Sequence, residues 1–385
     1  MPTTINDKCA IVGIGQTKFS KHSGGSELQL ALECVKAAIE DAGLKLSDVD
    51  GMVTLSIDGS DEIAVMRGLG SQELKFFSRV PHGIGGAMGL VHQAVMAISA
   101  GICETVVCYR ALNGYSGAQP KPTAVGGPLS TDQVHWGWYT PYGLVDPASW
   151  AAMFTRRYMH EYGATDKSLA EIAVTMRKHA TLHEGAQFRN PISVDDVMAS
   201  RSIASPLKML DCCPVSDGGC AFVISAKAEG PNPVRISGAA QHHNAQHISA
   251  LASLTNVGAG ACTASALADA GRTLADVEHS AIYDSFTITL TMLLEEIGLA
   301  PRGRAGALAR EGHFDADGAM PLNLHGGLLS YGHCGVGGAM AHLAEAHLQM
   351  TGRAGARQAP RAGVTLLHGD GGVLSSHVSL VIEAA

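Results

Sequence analysis

Along most of this chain, short apolar runs alternate with segments in which apolar residues recur at helical spacing. Residues 9–15 form an apolar run, which predicts a buried strand. Beyond it, Ser26 offers an N-cap, apolar residues follow at helical spacing and Gly43 comes after the last turn, which predicts a helix over 26–42. The same pattern predicts strands at 51–56, 75–80, 104–109, 219–226, 233–239, 280–284, 364–368 and 373–382, and helices at 62–69, 147–162, 167–184, 259–270, 287–297 and 337–350. Alternating strands and helices predict an α/β fold.

The alternation stops at residue 111. Residues 111–147 are rich in Gly, Pro, Ser and Thr, and they hold a group of aromatic residues, Trp136, Trp138, Tyr139 and Tyr142. Two predicted helices follow, so we interpret residues 111–200, in round numbers, as an insertion. Long loops inside compact domains are usually functional. This one is a candidate to wall a pocket for a bulky apolar group or to form a subunit contact.

Two short segments occur twice in the sequence, in the same order. Residues 83–88 read Gly-Ile-Gly-Gly-Ala-Met and residues 335–340 read Gly-Val-Gly-Gly-Ala-Met, while residues 41–50 resemble residues 269–278. Repeats that keep their order indicate an internal duplication. We therefore expect two halves, residues 1–230 with the insertion and residues 231–385. Two glycine-led helix starts, one from each half, would meet across a pseudo-two-fold axis, which is a natural place for a site.

The glycine-rich segment 323–340 is the strongest candidate for that site. It combines six glycines with two histidines, a tyrosine and a cysteine, and it leads into an apolar helix. Dense glycine lets the backbone approach a ligand closely, and the helix start directs unpaired N–H groups and a positive dipole at it. His333 and Tyr331 lie on this approach, which makes both candidate site residues.

Composition excludes several classes of function. The 385 residues carry a net charge of −8 without a basic run, which argues against nucleic acid as the main partner. No apolar run reaches membrane-spanning length, so we expect no membrane insertion. The polar N-terminus does not resemble a signal peptide, and nine scattered cysteines are typical of reduced thiols. Together these features predict a cytoplasmic protein.

The histidines and cysteines do not form a metal-binding pattern. Cys212, Cys213 and Cys220 lack the paired spacing of a zinc site. His242, His243 and His247 lie on an irregular segment without a carboxylate between them. We therefore expect neither a metal nor a bound cofactor.

Three motifs resemble those of the thiolase superfamily, and most closely those of the sterol-carrier-protein-type thiolases. The run Asn323-x-x-Gly-Gly-x-x-x-x-Gly-His-Cys-Gly-x-x-Gly338 is similar to the family's Gly-His loop, with Cys334 in place of a proline. Tyr283-Asp-Ser-Phe286 stands where the family carries His-Asp-Cys-Phe or Asn-Glu-Ala-Phe, and His368-Gly-Asp-Gly-Gly372 where it carries Cys-x-Gly-Gly-Gly. The resemblance covers essentially the whole chain. It implies a thiolase fold, two βαβαβαββ halves in five layers, α/β/α/β/α, with an inserted loop domain.

The departures from the family motifs change the implied chemistry. The family's nucleophilic cysteine falls on about Gly83, where no Cys, Ser or Thr is near, and the second family cysteine falls on His368. The chain thus resembles the thiolase-like retro-aldolases of steroid side-chain degradation, which cleave a 3-hydroxyacyl-CoA without a covalent acyl-enzyme. That resemblance implies a CoA thioester as substrate, a homodimer, and a small partner with a zinc ribbon and an OB fold.

Retro-aldol cleavage requires a base for the β-hydroxyl proton and a donor for the thioester oxyanion. We expect His333 to be the oxyanion donor, with Tyr283 or His368 as the acid and base. His82 is a candidate to contact the cleaved carbonyl, and Tyr331 a further candidate. Backbone N–H groups of the glycine loops are expected to bind the substrate, at Gly83, Gly85, Gly327 and Gly371. The sequence does not decide which residue is the base.

Two other functions remain open at this point. The first is an acyltransferase or thiolase that uses a different nucleophile, for which Cys334 is the candidate. The second is a non-catalytic subunit that binds acyl-CoA or lipid. The missing cysteine favours the second, whereas the retained Gly-His loop favours an enzyme.

Overall fold

The computed structural model describes residues 8–56, 59–71, 73–80, 85–117, 137–144, 146–245 and 248–384. Two residues named above as site candidates, His82 and Gly83, lie outside the described residues.

The described residues form strands β1 (Ala10–Gln16), β2 (Gly51–Leu55), β3 (Phe76–Val80), β4 (Thr105–Asn113), β5 (Ser202–Ala204), β6 (Leu207–Lys208), β7 (Asp217–Ser225), β8 (Val234–His243), β9 (His279–Ile282), β10 (Val364–Gly371) and β11 (Ser376–Ala384). The helices are α1 (Glu27–Asp41), α2 (Glu62–Leu69), α3 (Met88–Ser99), α4 (Pro147–Tyr162), α5 (Asp166–Ala180), α6 (Val194–Ala199), α7 (Ala259–Asp269), α8 (Thr287–Ile297), α9 (Ala305–Arg310), α10 (Gly327–Ser330) and α11 (Ala339–Met350).

Nine of the strands form one hydrogen-bonded order, β3-β2-β4-β7-β1-β8-β11-β10-β9. The two sides of the junction of β1 and β8 follow the same plan, because each places its first strand at the junction, its last strand next and its parallel strands outermost. Ala10 pairs with Arg235 and Ile11 with Val234 at that junction. Two mixed sheets thus meet edge to edge.

Helices α3 and α11 lie between the two sheets. Helix α3 contacts β2 and β4 of its own sheet and β11 of the other, and α11 contacts β9, β10 and β1. Leu90 of α3 and Leu343 of α11 are both fully buried in one apolar core. Helix α1 packs on the outer face of the first sheet and α7 on the outer face of the second. The layers are therefore α/β/α/β/α, as expected from the resemblance.

Matching residues in the two halves perform the same structural task. The Asp41 carboxylate accepts the N–H of Ile14 in β1 at 2.9 Å, and the Asp269 carboxylate accepts the N–H of Ala239 in β8 at 3.3 Å. Asp41 and Asp269 are the first residues of the two similar segments 41–50 and 269–278. The repeat in the sequence thus corresponds to a repeated helix-to-strand contact.

The structure differs from the sequence prediction at residues 369–371. The predicted strand ends at His368, but strand β10 continues to Gly371, and Asp370 pairs with His377 across the hairpin. Antiparallel pairing with β11 supplies the hydrogen bonds that a loop would leave to solvent. Helices α6 and α9 and the small β5–β6 ribbon are short elements that the apolar pattern did not predict.

Candidate active site

Tyr283 and His333 form the centre of the candidate site. Tyr283 directly follows β9, and His333 lies in the loop that precedes α11. The phenol oxygen of Tyr283 lies 3.0 Å from Nε2 of His333, and the two rings stand edge to face. Both side chains are buried. The structure thus brings together the two residues that the sequence singled out most strongly.

Ser216 fixes the backbone of His333 from the first half. The N–H of His333 donates to Oγ of Ser216 at 3.0 Å, and the N–H of Ser216 donates to the carbonyl of His333 at 2.9 Å. The amide of Gln187 donates to the same Oγ. Sequence reasoning missed Ser216 and Gln187, because more than 100 residues separate each from His333 and neither belongs to a motif.

Burial sets the protonation states of the pair. Desolvation lowers the pKa of His333 to about 3, with the nearby Arg110 guanidinium and His342 lowering it further. Desolvation also raises the pKa of Tyr283 well above its usual value, with smaller contributions from Cys213 and Asp370. At neutral pH the site therefore holds a neutral imidazole and a neutral phenol.

Asp284 holds the glycine-rich loop against the site. One of its carboxylate oxygens accepts the N–H of Leu328 at 2.7 Å, and Nε2 of His342 lies 3.1 Å from the same oxygen. Gly327 has a φ of +62°, and a Cβ there would collide with the Asp284 carboxylate. Glycine is therefore required at 327 for this packing, whereas a substrate-binding role of its N–H stays a prediction.

The loop before α3 reaches the second-half site. Gly85 and Gly86 have φ values of +51° and +55°. A Cβ on Gly86 would lie 3.8 Å from the ring of Tyr283 and 3.4 Å from the carbonyl oxygen of Asp370, and a Cβ on Gly85 would collide with Val378. The glycine starts of both halves therefore meet next to Tyr283. Gly371 lies one residue beyond Asp370, and substrate binding by Gly85 and Gly371 stays a prediction.

His368 occupies a different environment from the one expected. Its Nδ1 lies 2.8 Å from Oγ of Ser379, and its Nε2 lies 3.1 Å from Nδ1 of His377. Both ring nitrogens are thus engaged inside the protein, and His368 lies within β10 instead of at its end. Only its carbonyl supports the site, by accepting the N–H of Tyr283 at 3.0 Å. We therefore do not assign the acid or base role to His368.

Tyr331 and Cys334 are both buried in the same loop as His333. The Tyr331 ring contacts the rings of Phe19, His183 and His325, with centroids 4.9 to 5.4 Å away. Cys334 is buried in the core between the sheets. It lies close enough to Cys220 to raise the pKa of that thiol, whose main cause of elevation is burial. The apolar surroundings of Cys334 are not typical of a reactive thiol, whereas a catalytic role of Tyr331 stays a prediction.

The described part of the insertion lines an open cleft beside α4. The cleft has a volume of about 610 Å³, and its lining includes Tyr142, Met153 and Arg156. Trp138 and Tyr142 are 70% and 85% exposed, whereas Tyr139 bonds to Ser249 through its hydroxyl at 2.7 Å. Trp136 lies outside the described residues.

Neither a metal-binding cluster nor a membrane-spanning helix is present in the part of the chain that the structure describes. Within the ranges given above, no three His, Cys, Asp or Glu side chains are grouped to hold a metal ion. No helix in those ranges combines the length and the apolar character that crossing a bilayer requires.

Comparison with known proteins agrees with this architecture. Residues 240–384 match the family model described as "Thiolase C-terminal domain-like". The steroid side-chain-cleaving aldolase of Thermomonospora curvata is 45% identical over 332 residues, which cover 83% of this chain and 85% of that protein. The 17-hydroxy-3-oxo-4-pregnene-20-carboxyl-CoA lyase of Mycobacterium tuberculosis is 39% identical, with 84% and 87% covered.

A solved structure extends the similarity to nearly every residue. The Ltp2-ChsH2(DUF35) aldolase superposes with a TM-score of 0.91 at 41% sequence identity, over 99% of this chain and 98% of that chain. The fold, the motifs and these relatives agree. The chain therefore belongs to the thiolase superfamily, in the family of thiolase-like aldolases that these relatives represent.

Proposed function

We propose that this protein is a carbon–carbon lyase that cleaves a 3-hydroxyacyl-CoA by a retro-aldol reaction, without a covalent acyl-enzyme. The observation that carries the proposal is the buried contact of 3.0 Å between Tyr283 and His333. It provides proton-transfer and oxyanion-binding groups next to Gly86 of the first-half glycine loop. The names of the relatives, an aldolase and a CoA lyase, support the same reaction class.

In the proposed mechanism, Tyr283 reacts as its phenolate, the minor form at neutral pH, and accepts the proton of the substrate's β-hydroxyl group. The bond between Cα and Cβ then breaks, a ketone or aldehyde forms at Cβ, and the electron pair moves into the thioester as an enolate. Protonation of Cα releases the shorter acyl-CoA. Proton transfer by a placed side chain contributes about 10²–10⁴-fold in rate.

His333 is suited to bind the enolate oxygen as a neutral donor. With a pKa of about 3 it is a poor base, but its N–H group remains available for a hydrogen bond. The buried Arg110 guanidinium near this ring favours negative charge in the site. An oxyanion donor of this kind contributes roughly 10²–10³-fold.

We propose a substrate with a bulky, steroid-like side chain. The printed names of both relatives refer to steroid or pregnene substrates. The cleft of about 610 Å³ beside α4, with its exposed Tyr142, offers apolar surface near the insertion. We expect the acyl-CoA to be the substrate and not a resident cofactor.

We further propose that the protein acts as a cytoplasmic homodimer together with a small zinc-ribbon and OB-fold partner. Strand β3 lies at one end of the strand order, and Phe77 on it is 63% exposed, which suits pairing with a second copy. The name of the aldolase structure contains a DUF35 component, which supports the partner. All nine cysteines are free, which is typical of a reducing compartment.

The test is direct assay of the reaction. The purified chain, alone and with a zinc-ribbon partner, is incubated with a 3-hydroxyacyl-CoA that carries a ring system at Cβ, and the products are separated by mass spectrometry. We expect equimolar ketone and shortened acyl-CoA. Binding of the acyl-CoA without cleavage under both conditions would instead establish the non-catalytic subunit.

A further inference from the structure

Asp370 is a buried carboxyl group that the mechanism above does not use. It lies near the end of β10 and is 4% exposed. Its Oδ2 accepts the N–H of Leu374 at 3.3 Å, whereas its Oδ1 has no hydrogen-bond partner among the described residues. A half-satisfied carboxyl in the interior is costly to keep, and such groups are often functional.

A directed chain of hydrogen bonds fixes the protons around this carboxyl. The carbonyl of Val257 can only accept, so Nε2 of His377, 2.9 Å away, carries the hydrogen. Burial lowers the pKa of His377 to about 4, so the ring is neutral and its Nδ1 is an acceptor. Nε2 of His368 therefore donates to that Nδ1 at 3.1 Å, and the hydroxyl of Ser379 donates to Nδ1 of His368 at 2.8 Å.

This series of hydrogen bonds leaves the carboxyl of Asp370 facing the lone pair on Nδ1 of His377. Its Oδ1 lies 3.8 Å from Nδ1 of His377, the nitrogen without a hydrogen. No lysine or arginine forms an ion pair with Asp370 among the described residues. A carboxylate at this place would thus have neither a cation nor a donor at Oδ1, and burial raises its pKa well above the usual range. Burial and the absence of a cation at Oδ1 therefore favour the neutral carboxylic acid form of Asp370.

The backbone carbonyl of Asp370 lies near Tyr283. A Cβ on Gly86 would lie 3.4 Å from the Asp370 carbonyl and 3.8 Å from the Tyr283 ring, so all three residues line one region. Asp370 is also close enough to Tyr283 to raise the pKa of the phenol. The residue that carries this carboxyl thus borders the group that is proposed to take up the substrate's proton, and its charge state acts on that group.

We propose that Asp370 is a further catalytic residue, the acid that protonates Cα of the departing acyl-CoA enolate. This inference rests on the proposed function. Its O–H bond breaks, a C–H bond forms at Cα, and the resulting carboxylate is reprotonated by the proton that Tyr283 took from the β-hydroxyl group. One proton leaves the substrate oxygen and one arrives at the carbon, so the cycle closes without a co-reactant.

The experiment uses Asp370→Asn, because an asparagine oxygen still accepts the N–H of Leu374 but the side chain has no acidic proton. Two reactions are followed: cleavage of the 3-hydroxyacyl-CoA, and exchange of the α-hydrogens of the short acyl-CoA product in D₂O, which needs no cleavage. We expect both rates to fall by about 10²-fold or more. The matched control is Asp211→Asn, because Asp211 is also a buried carboxyl, which accepts the hydroxyl of Thr287 at 2.9 Å. This variant is expected to exchange the α-hydrogens of the acyl-CoA at the wild-type rate.

Two further measurements separate a catalytic role from a structural one. The infrared difference spectrum of wild type minus Asp370→Asn is expected to contain the carbonyl band of a protonated carboxylic acid at neutral pH. The folded wild type keeps a proton on Asp370 that the unfolded chain releases above pH ~4. The free energy of unfolding of the wild type is therefore lowered at neutral pH. Asp370→Asn is therefore expected to be more stable and less active, a combination that simple misfolding does not give.

The outcomes distinguish this inference from the proposed function. Wild-type rates of cleavage and exchange in Asp370→Asn overturn the role of Asp370 and leave the lyase intact. Exchange by the wild type that Asp370→Asn abolishes, without cleavage of any 3-hydroxyacyl-CoA, supports Asp370 and overturns the lyase. A wild type that neither cleaves nor exchanges overturns both.

Discussion

The phenol oxygen of Tyr283 lies 3.0 Å from Nε2 of His333, although the two residues are 50 positions apart in the chain. Asp284 and Ser216 maintain this contact from either side. Asp284 follows Tyr283 and holds the loop by the N–H of Leu328, and Ser216 holds both backbone groups of His333. The pair is thus rigidly placed, as catalysis requires.

Replacing Tyr283 with phenylalanine is expected to lower kcat by about 10²-fold or more, because the substrate's proton loses its acceptor while the buried ring remains. Steady-state cleavage of a 3-hydroxyacyl-CoA measures the effect. The matched control is Tyr158→Phe, which removes a buried hydroxyl bonded to Glu295 at 2.7 Å outside the site. Equal losses in both variants would show that the Tyr283 hydroxyl has only a structural role.

Replacing His333 with alanine is expected to lower kcat by more than about tenfold, since the enolate oxygen loses a donor. Circular dichroism and thermal unfolding establish that the variant is folded. His347→Gln is the control, because His347 is a buried neutral histidine bonded to the carbonyl of Asn232 on the far side of the core. Unchanged turnover in His333→Ala would remove His333 from the mechanism.

The buried neutral histidines predict that the fold is sensitive to acid. Burial lowers the pKa to about 3 or 4 for His183, His279, His333, His347 and His377. An unfolded histidine titrates near pH ~6.5. Below that pH the unfolded chain binds protons that the folded chain does not, so the free energy of unfolding falls as pH falls.

Urea unfolding at several pH values between about 7.5 and 4.5 tests this expectation. Each such histidine contributes at most about 1.4 kcal/mol per pH unit. His279→Gln is expected to flatten the slope, whereas His160→Gln, at an exposed position, is expected to leave it unchanged. A slope that neither variant alters would contradict the assignment.

Gly327→Ala is expected to destabilise the protein by more than the usual cost of a left-handed residue. Gly327 and Gly352 have φ values of +62° and +69°, but only at Gly327 would a Cβ meet another residue, the Asp284 carboxylate. Gly352→Ala therefore gives the backbone cost alone, about 1 kcal/mol. The difference between the two free energies of unfolding isolates the collision, and equal values would mean that Asp284 moves aside freely.

Intact mass after incubation with acyl-CoA is expected to stay that of the unmodified chain. Cys334 is the nearest cysteine to His333 in sequence, yet it is buried in the apolar core with Cys220, whose pKa burial raises well above its usual value. A thiolate is disfavoured in such surroundings. A mass gain equal to the acyl group, lost in Cys334→Ala, would instead favour the acyltransferase.

Local sequence signals determined much of the fold. Ser26 caps α1 as predicted, with its hydroxyl accepting the N–H of Gln29 at 3.1 Å, and α2 spans Glu62–Leu69 as predicted. These elements follow from capping and periodicity, which act over a few residues. The thiolase fold was predicted correctly as well, because the motifs and the repeat were both visible in the sequence.

The site was only partly predictable. Tyr283 and His333 belong to recognisable motifs, whereas the placement of His368 depends on how far β10 extends, and strand alternation then decides which way its ring points. Ser216 reaches His333 through pairing between distant segments. Such contacts depend on the complete fold, and no local pattern encodes them.

The pairing of β1 with both β7 and β8 has a consequence for synthesis of the protein on the ribosome. Ala10 pairs with Ser225 on one side and with Arg235 on the other. The ribosome therefore has to add more than 200 residues after β1 before either neighbouring strand has been synthesised. A nascent first half thus carries an unpaired apolar strand. Contacts this distant in sequence slow folding, and we expect the growing chain to depend on chaperones until β7 and β8 have emerged.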